Sequence, residues 1–141
     1  MTTFKKIILV EDDELDADMT KRTLLAIPLA NPIVWLETGQ EFLDYLDEHG
    51  TMDIALVILD LKMPLVSGLE ALEILHNDTS KPRNFPVVVL TSTQNSPEVR
   101  RCYELGINAF VTKPVSRDQF GEAVNALGLF WGIHNVLPDQ N

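Results

Sequence analysis

Short runs of apolar residues recur along the chain, and a stretch with helical spacing follows each of them. Most of these runs lack the polar alternation that marks a strand exposed on one face. Uninterrupted Val, Ile and Leu residues are typical of strands that are buried on both faces, as in a parallel sheet. The pattern therefore predicts five strands, at residues 7–10, 33–36, 56–60, 87–90 and 107–111.

Helical patterns fill the intervals between the strands. In the first helix the apolar positions are Leu15, Met19, Leu24 and Ile27, and Pro28 ends it. The charged residues among them, including Asp16 and Asp18, indicate a solvated helix face. Asp13, just before this helix, is a candidate for its cap. Capping residues that open later helices are Thr38 (with Glu41), Ser96 and Ser116 (with Gln119).

The order of these elements indicates the fold class. Strands that alternate with helices pair in parallel through right-handed crossovers, and helices cover both faces of the sheet. We predict a doubly wound α/β domain with five parallel strands in the order 2-1-3-4-5. Residues 1–141 form a single domain in this prediction, because no internal repeat or linker interrupts the pattern.

Polar residues with complementary chemistry follow the predicted strands. Glu11 and Asp12 end the first strand, Asp60 the third, Thr91 the fourth and Lys113 the fifth. Because the carboxyl ends of parallel strands share one edge of the sheet, all five residues can reach one cleft. Taken alone, Asp60 is equally consistent with the first residue of a turn. Three converging carboxylates repel one another, however, and require a cation at neutral pH.

These residues are the components of a phosphoryl-transfer site. Asp60 would be the nucleophile that forms an aspartyl phosphate. Mg²⁺ would be held by Asp12, by Asp60, by Glu11 (directly or through a water) and by the backbone carbonyl of Lys62, since it prefers oxygen ligands and keeps several waters. Asp13 would hydrogen-bond to the groups around this ion if it does not cap the first helix. The Lys113 ammonium and the Thr91 hydroxyl would contact phosphate oxygens, and Asp60, Thr91 and Lys113 are thus the candidate catalytic residues.

Composition limits the partners and the compartment. With 21 acidic and 11 basic residues the chain has a formal charge of −10, which argues against nucleic acid as a partner. The apolar runs are too short for a membrane span, and the first residues lack the features of a signal peptide. A single cysteine, Cys102, fits a reducing compartment. We expect a cytoplasmic protein without membrane contacts.

At these residues the chain resembles the receiver domain of two-component response regulators, which has a flavodoxin-like fold. The resemblance rests on residues 8–13 (ILVEDD), 59–64 (LDLKMP), 89–92 (VLTS) and 110–114 (FVTKP). It implies that a histidine kinase phosphorylates Asp60 and that Glu11 and Asp12 bind Mg²⁺. It also implies that the peptide bond between Lys113 and Pro114 is cis, and that Thr91 and Phe110 respond to phosphorylation as switch residues.

Three residues depart from the usual family pattern. Phe110 stands where Tyr is frequent, and a phenylalanine has no hydroxyl group that could hydrogen-bond in the inward rotamer. Ser92 stands where Ala is common and narrows access to the phosphate. Lys62, two residues after the acceptor, adds a positive charge beside the site and is expected to alter the lifetime of the phosphorylated state.

The last predicted helix suggests how the regulator transmits its signal to other proteins. The sequence stops a turn or two beyond the last predicted helix, so we expect a single-domain regulator without an output domain, which acts through protein contacts. The last predicted helix has a second apolar stripe with Phe130 and Ile133, and an exposed apolar stripe suggests an interface. Its ending is similar to that of regulators paired with phytochrome-type histidine kinases. We therefore expect a homodimer that forms through this helix.

Two other classes use related folds. A phosphotransferase of the haloacid-dehalogenase type also phosphorylates an Asp, but it usually has an acidic residue where Lys62 stands here. An FMN-binding flavodoxin would need a phosphate loop where residues 11–14 are acidic. A receiver that is not phosphorylated is the remaining alternative within the family. The favoured reading is a phosphoacceptor that assists its own phosphorylation and dephosphorylation, and not an enzyme in the usual sense.

Overall fold

The computed structural model describes residues 5–26, 31–80, 84–92 and 96–113, together with residues 118 and 122. Strands and helices alternate throughout this part of the chain. The strands are β1 (Lys6–Val10), β2 (Ile33–Leu36), β3 (Ile54–Asp60), β4 (Val87–Thr91) and β5 (Ala109–Thr112). The helices are α1 (Glu14–Leu25), α2 (Gly39–His49), α3 (Gly68–Asn77) and α4 (Ser96–Glu104).

The strands form one parallel sheet in the order β2-β1-β3-β4-β5, as the sequence predicts. In its register Val10 lies beside Leu59, and Thr91 lies beside Thr112. The carboxyl ends of β1 and β3 are therefore neighbours, and that of β5 lies two strands away from β3.

Apolar side chains cover both faces of this sheet. Every residue of β3 and β4 is buried. Successive residues of β1 alternate between two core clusters, with Ile8 and Val10 on one face and Ile7 and Leu9 on the other. Burial on both faces explains why these strands appear in the sequence as continuous apolar runs.

The fifth strand begins later than the sequence pattern predicts. Residue 108 precedes the strand because its side chain takes part in the pairing. The Asn108 backbone N–H donates to the Val87 carbonyl at 2.9 Å, and the Val87 N–H donates to Asn108 Oδ1 at 2.9 Å. A side-chain oxygen thus replaces a backbone carbonyl, and the regular ladder starts at Ala109.

The buried face of α1 differs from the predicted one. Of the predicted apolar positions in its described part only Leu24 is buried, whereas Leu15 is 76% exposed and Met19 is 48% exposed. Ala17 and Thr20 complete the buried face instead. These residues have the three- and four-residue spacing of one helix stripe, and small side chains allow a close approach to the sheet.

Polar side chains cap the helices. The Asp13 carboxylate accepts from the Asp16 N–H at 2.9 Å and so caps α1. The Thr38 hydroxyl accepts from the Glu41 N–H as predicted, but the Glu41 carboxylate accepts from the Glu37 N–H rather than completing the box at Thr38. The predicted helix from Ser116 onward lies outside the described residues.

The loop between β3 and α3 contains a strained residue. Leu65 has φ +66°, a left-handed conformation that costs an ordinary L-residue about 1–2 kcal/mol. Its side chain is 83% exposed, so little burial offsets this strain. A hydrogen bond from the Gly68 N–H to the Leu61 carbonyl, at 3.0 Å, joins the two ends of this loop.

Replacing Leu65 with Asn is expected to raise the free energy of unfolding by about 1 kcal/mol, because Asn tolerates the left-handed region. Urea titration at neutral pH measures the change. Leu15→Asn is the matched control, since Leu15 is similarly exposed but helical. Equal effects of the two substitutions would show that side-chain exposure, and not backbone strain, sets the stability.

Candidate functional site

A cavity of about 250 Å³ opens at the carboxyl edge of the sheet. Its walls come from the ends of β1 and β3, from the residues that follow β4 and β5, and from the first turn of α1. The lining residues are Glu11, Asp12, Asp13, Asp16, Asp60, Lys62, Ser92 and Lys113. Five carboxylates and two ammonium groups thus face one small volume.

Asp60 is the last residue of β3 and is only 4% exposed. The backbone N–H of Lys62 donates to Asp60 Oδ1 at 3.2 Å, and Lys113 Nζ lies 3.2 Å from Oδ2. Both carboxylate oxygens therefore have a donor, which fixes the orientation of the group. A carboxylate held in this way remains directed into the cavity.

Close packing of α3 against the end of β3 helps to fix this position. The N–H of Gly68, the first residue of α3, donates to the Leu61 carbonyl at 3.0 Å. A Cβ atom at residue 68 would lie only 2.2 Å from the backbone oxygen of Asp60, which is closer than any real contact. Glycine at this position therefore allows the helix to start directly beside the acidic residue.

Glu11 lies beside Asp60 because β1 pairs with β3. One carboxylate oxygen from each of Glu11, Asp12 and Asp60 lies within 4.8 Å of the others. Glu11 is completely buried, and its Oε2 accepts from the Asp13 N–H at 3.2 Å. The Trp35 indole N–H, on the neighbouring strand β2, donates to the Glu11 backbone carbonyl at 2.8 Å. Both the backbone and the side chain of Glu11 are therefore held in place.

Lys113, the residue that follows β5, places a positive charge beside this acidic cluster. Its backbone N–H donates to the Thr91 carbonyl at 2.7 Å, which fixes the base of the side chain. The side chain is only 14% exposed. Its Nζ lies near three carboxylate oxygens, at 2.7 Å from Glu11 Oε1, 3.0 Å from Asp16 Oδ2 and 3.2 Å from Asp60 Oδ2.

Burial and proximity shift the titration of these groups. Burial is the largest cause that raises the pKa of Glu11, and a hydrogen bond with Asp60 also raises it, while Lys113 and the Asp13 N–H act in the opposite direction. Together these effects raise the pKa from 4.5 to about 8. Burial alone would lower the pKa of Lys113. Hydrogen bonds with Glu11 and Asp16 and the nearby carboxylate charges outweigh burial, so the pKa of Lys113 lies above its usual value.

The acidic cluster fits a hard divalent cation. Its ligand atoms are carboxylate oxygens, which Mg²⁺ and similar ions prefer. Glu11 Oε1 is buried and accepts no hydrogen bond of good geometry from the described residues, although Lys113 Nζ lies 2.7 Å away. Apart from this ion pair the oxygen has no hydrogen-bond partner among the described residues, so it can serve as a metal ligand.

The structure brings together most of the residues that the sequence marks as functional. Glu11, Asp12, Asp60, Lys62 and Lys113 line the cavity. Thr91 ends β4 and is buried beside the cavity without lining it. Phe110 lies on β5, partly buried, and its ring packs edge-on against Tyr103 of α4 with centroids 6.1 Å apart. Pro114, Phe130 and Ile133 lie outside the described residues.

The sequence pattern does not identify one residue of the site. Asp16, which the sequence suggests is a solvated helix residue, lines the cavity and pairs with Lys113. The sequence feature that could have identified Asp16 is its position three residues after the helix cap Asp13. This position places it in the first turn of a helix that begins at the site.

Replacing Lys113 with Met removes the ammonium from the centre of the carboxylates. In metal-free buffer at pH 8 the free energy of unfolding is expected to fall by about 3 kcal/mol, as when one partner of a buried ion pair is lost. The loss should be smaller at pH 6, because Glu11, with its pKa of about 8, is then protonated and needs the ammonium less. Urea titrations in EDTA at both pH values measure these changes.

Lys62→Met is the matched control, because Lys62 lines the same cavity but is exposed. We expect this substitution to change the free energy of unfolding by no more than about 0.5 kcal/mol. Similar losses in the two variants would contradict a special role for the Lys113 ammonium in the folded protein.

Comparison with known proteins places this arrangement in a family. The sequence model of the family described as the response regulator receiver domain matches residues 7–125 of this chain. The response regulator Rcp1 of Synechocystis sp. is 31% identical over 139 residues, which are 95% of this chain and 93% of Rcp1. A solved structure of the Mn²⁺-bound form of Rcp1 superposes with a TM-score of 0.72, at 29% identity, over 90% of this chain and 94% of that chain.

Two further solved structures are similar over nearly the whole chain. The bacteriophytochrome response regulator AtBRR is 42% identical, with a TM-score of 0.78, over 94% of this chain and 99% of its own. The phosphorylated cyanobacterial phytochrome response regulator RcpA is 30% identical, with a TM-score of 0.74, over 97% of this chain and all of its own. The chain therefore belongs to the receiver-domain family of two-component response regulators, which accept phosphoryl groups from histidine kinases and bind a divalent metal.

Proposed function

We propose that Asp60 is the residue that accepts the phosphoryl group. The observation that carries this proposal is the position of its carboxylate. It is nearly buried at the end of β3, it lies within the acidic cluster, and Lys113 Nζ is 3.2 Å from Oδ2. Among the described acidic residues of the cavity, Asp60 alone belongs to the central strand β3, and a hydrogen-bond donor contacts each of its carboxylate oxygens.

The transfer forms one bond and breaks another. An oxygen of the Asp60 carboxylate attacks the phosphorus of a kinase phosphohistidine, and the P–N bond breaks as the electron pair returns to the imidazole. The product is an aspartyl phosphate on this chain and an unphosphorylated histidine on the kinase. Because the Lys62 N–H and the Lys113 ammonium already hold the carboxylate, little reorganisation is needed for the attack.

The metal in this proposal is Mg²⁺. Glu11, Asp12 and Asp60 would hold it with carboxylate oxygens, and the backbone carbonyl of Lys62 would be a further ligand. When bound, the ion neutralises negative charge on the transferring phosphoryl group. The support is the cluster of three carboxylates and the Mn²⁺-bound structure of the relative Rcp1.

Thr91 and Lys113 would contact the phosphoryl oxygens of the product. Thr91 ends β4, and Lys113 is tied to it by the bond from its N–H to the Thr91 carbonyl. Movement of Thr91 toward the phosphate would leave space that Phe110 can enter, which makes these two residues the proposed switch. Phe110 is partly buried and contacts Tyr103 of α4, so a change of its rotamer would reach the surface of that helix.

The partner in this proposal is a phytochrome-type histidine kinase, supported by 42% identity to the bacteriophytochrome regulator AtBRR. The proposed setting is the cytoplasm. No helix in the described part of the chain is long and apolar enough to cross a membrane. We propose that residues 1–141 act as one receiver domain whose output is a protein contact, since a charge of −10 disfavours nucleic acid.

The haloacid-dehalogenase alternative is not favoured. The residue two positions after Asp60 is Lys62, an exposed base, where such an enzyme usually has an acid. The chain therefore has no carboxyl group at that position. Instead we propose that it assists its own phosphorylation and dephosphorylation through the charges that surround Asp60.

Substituting Asp60 with Asn is expected to abolish labelling by acetyl phosphate in Mg²⁺, because an amide cannot form the acyl phosphate. EDTA should abolish labelling of the unsubstituted chain as well. Asp53→Asn is the matched control, since Asp53 is exposed and pairs with Lys6 near the start of β3, at the opposite end of the strand from Asp60. It should label like the unsubstituted chain. Unchanged labelling of Asp60→Asn that survives acid would refute the assignment.

We further propose that the protein forms a homodimer through its last helix. The support is the sequence alone, in which Phe130 and Ile133 form a second apolar stripe. Replacing both residues with Ser should shift the sedimentation coefficient from that of a dimer to that of a monomer. A monomer at high concentration before any substitution, with and without a phosphoryl mimic, would contradict this proposal.

A further inference from the structure

We propose that Asp16 is a positioning residue, the carboxylate that retains the Lys113 ammonium at the site when the acidic cluster holds a divalent cation. This inference rests on the proposed function of the cavity and extends it to a residue on α1. In this proposal the Lys113 ammonium keeps an anionic partner both without a cation in the acidic cluster and with one bound there.

Asp16 belongs to the cavity although it lies on a helix. Its N–H is bound to the cap Asp13 at 2.9 Å, which fixes it in the first turn of α1. Its Oδ2 lies 3.0 Å from Lys113 Nζ, and its side chain is 42% exposed. The carboxylate thus stands at the solvent side of the ammonium, whereas Glu11 and Asp60 are buried.

The three carboxylates around Lys113 are not equivalent. Glu11 and Asp60 belong, with Asp12, to the group of acids whose oxygens lie within 4.8 Å of one another. Asp16 is not a member of that group. Lys113 therefore shares two of its contacts with the acids that would hold a cation, and the third contact is with a residue outside them.

Because Asp16 lies outside the group of acids that would hold a cation, its contact with Lys113 affects the free energy of cation binding. An ammonium beside a bound dication is repelled, and it loses part of its attraction to the carboxylates that now serve the ion. Without another anionic partner, the buried Lys113 side chain would carry an uncompensated charge. Asp16 provides that partner and already contacts the ammonium at 3.0 Å. It should therefore favour the cation-bound state.

The same contact keeps Lys113 available for the phosphoryl group. An ammonium has three donors and can bind Asp16 with one while another points into the cavity. A lysine without this partner could turn out to solvent on its flexible stem. In this proposal Asp16 acts through Lys113 and does not touch the phosphoryl group itself.

Asp16→Asn should raise the Kd for Mg²⁺ about fivefold at physiological salt, the scale expected for one partly exposed ion pair. Isothermal titration of the unphosphorylated chain with Mg²⁺ alone measures it. Asp18→Asn is the charge-matched control, because Asp18 lies in the same helix but pairs with Arg22 at 3.0 Å. It should leave the Kd within about twofold, since exposed charges at this ionic strength are largely screened.

A double-mutant cycle separates positioning from a general charge effect. In a Lys113→Met background, Asp16→Asn should change the Kd less than about twofold, because the partner it positions is gone. An equal change in both backgrounds, or no change in either, would overturn the role of Asp16. Saturable Mg²⁺ binding by the unsubstituted chain leaves the proposed function intact in either case. Its absence would overturn the metal site and this inference together.

Discussion

The ammonium of Lys113 is the charge that allows acidic residues from separate strands to share one edge of the sheet. Its position follows from topology. The order β2-β1-β3-β4-β5 makes Glu11 and Asp60 neighbours but places Lys113 two strands from Asp60, a separation of about 10 Å between strand axes. Only a long side chain can cross that interval. The hydrogen bond from its backbone to Thr91 at 2.7 Å fixes where the stem begins.

Much of this arrangement is predictable because strand ends and charges are visible in the sequence. The continuous apolar runs identify a doubly covered parallel sheet, and the fold class and strand order follow from the alternation of elements. The sheet then places Glu11, Asp60 and Lys113 together without further information. What the sequence does not show is the direction of a helix face. Leu15 and Asp16 are both misread, because rotation of α1 about its axis depends on packing against the sheet.

Close backbone packing is the second property that the sequence conceals. Gly68 has an ordinary helical role, and only the 2.2 Å approach of its virtual Cβ to the Asp60 carbonyl reveals why no side chain fits. Leu65, three residues before Gly68, takes a left-handed conformation that nothing in its side chain favours. The short connection from β3 to α3, which starts after the acidic residue, thus contains a strained residue. Such strain is stable where rigid elements fix both ends of a loop.

The excess of negative charge in the cavity explains why a divalent cation is expected there. Five carboxylates line it and only two ammonium groups do, one of them the exposed Lys62. Lys113 does not fully compensate even its nearest acids, since burial still raises the pKa of Glu11 to about 8. A phosphoryl group would bring still more negative charge to Asp60. Electrostatic repulsion between these negative charges opposes transfer of the phosphoryl group unless further positive charge enters the cavity. A divalent ion supplies this charge without requiring another buried side chain.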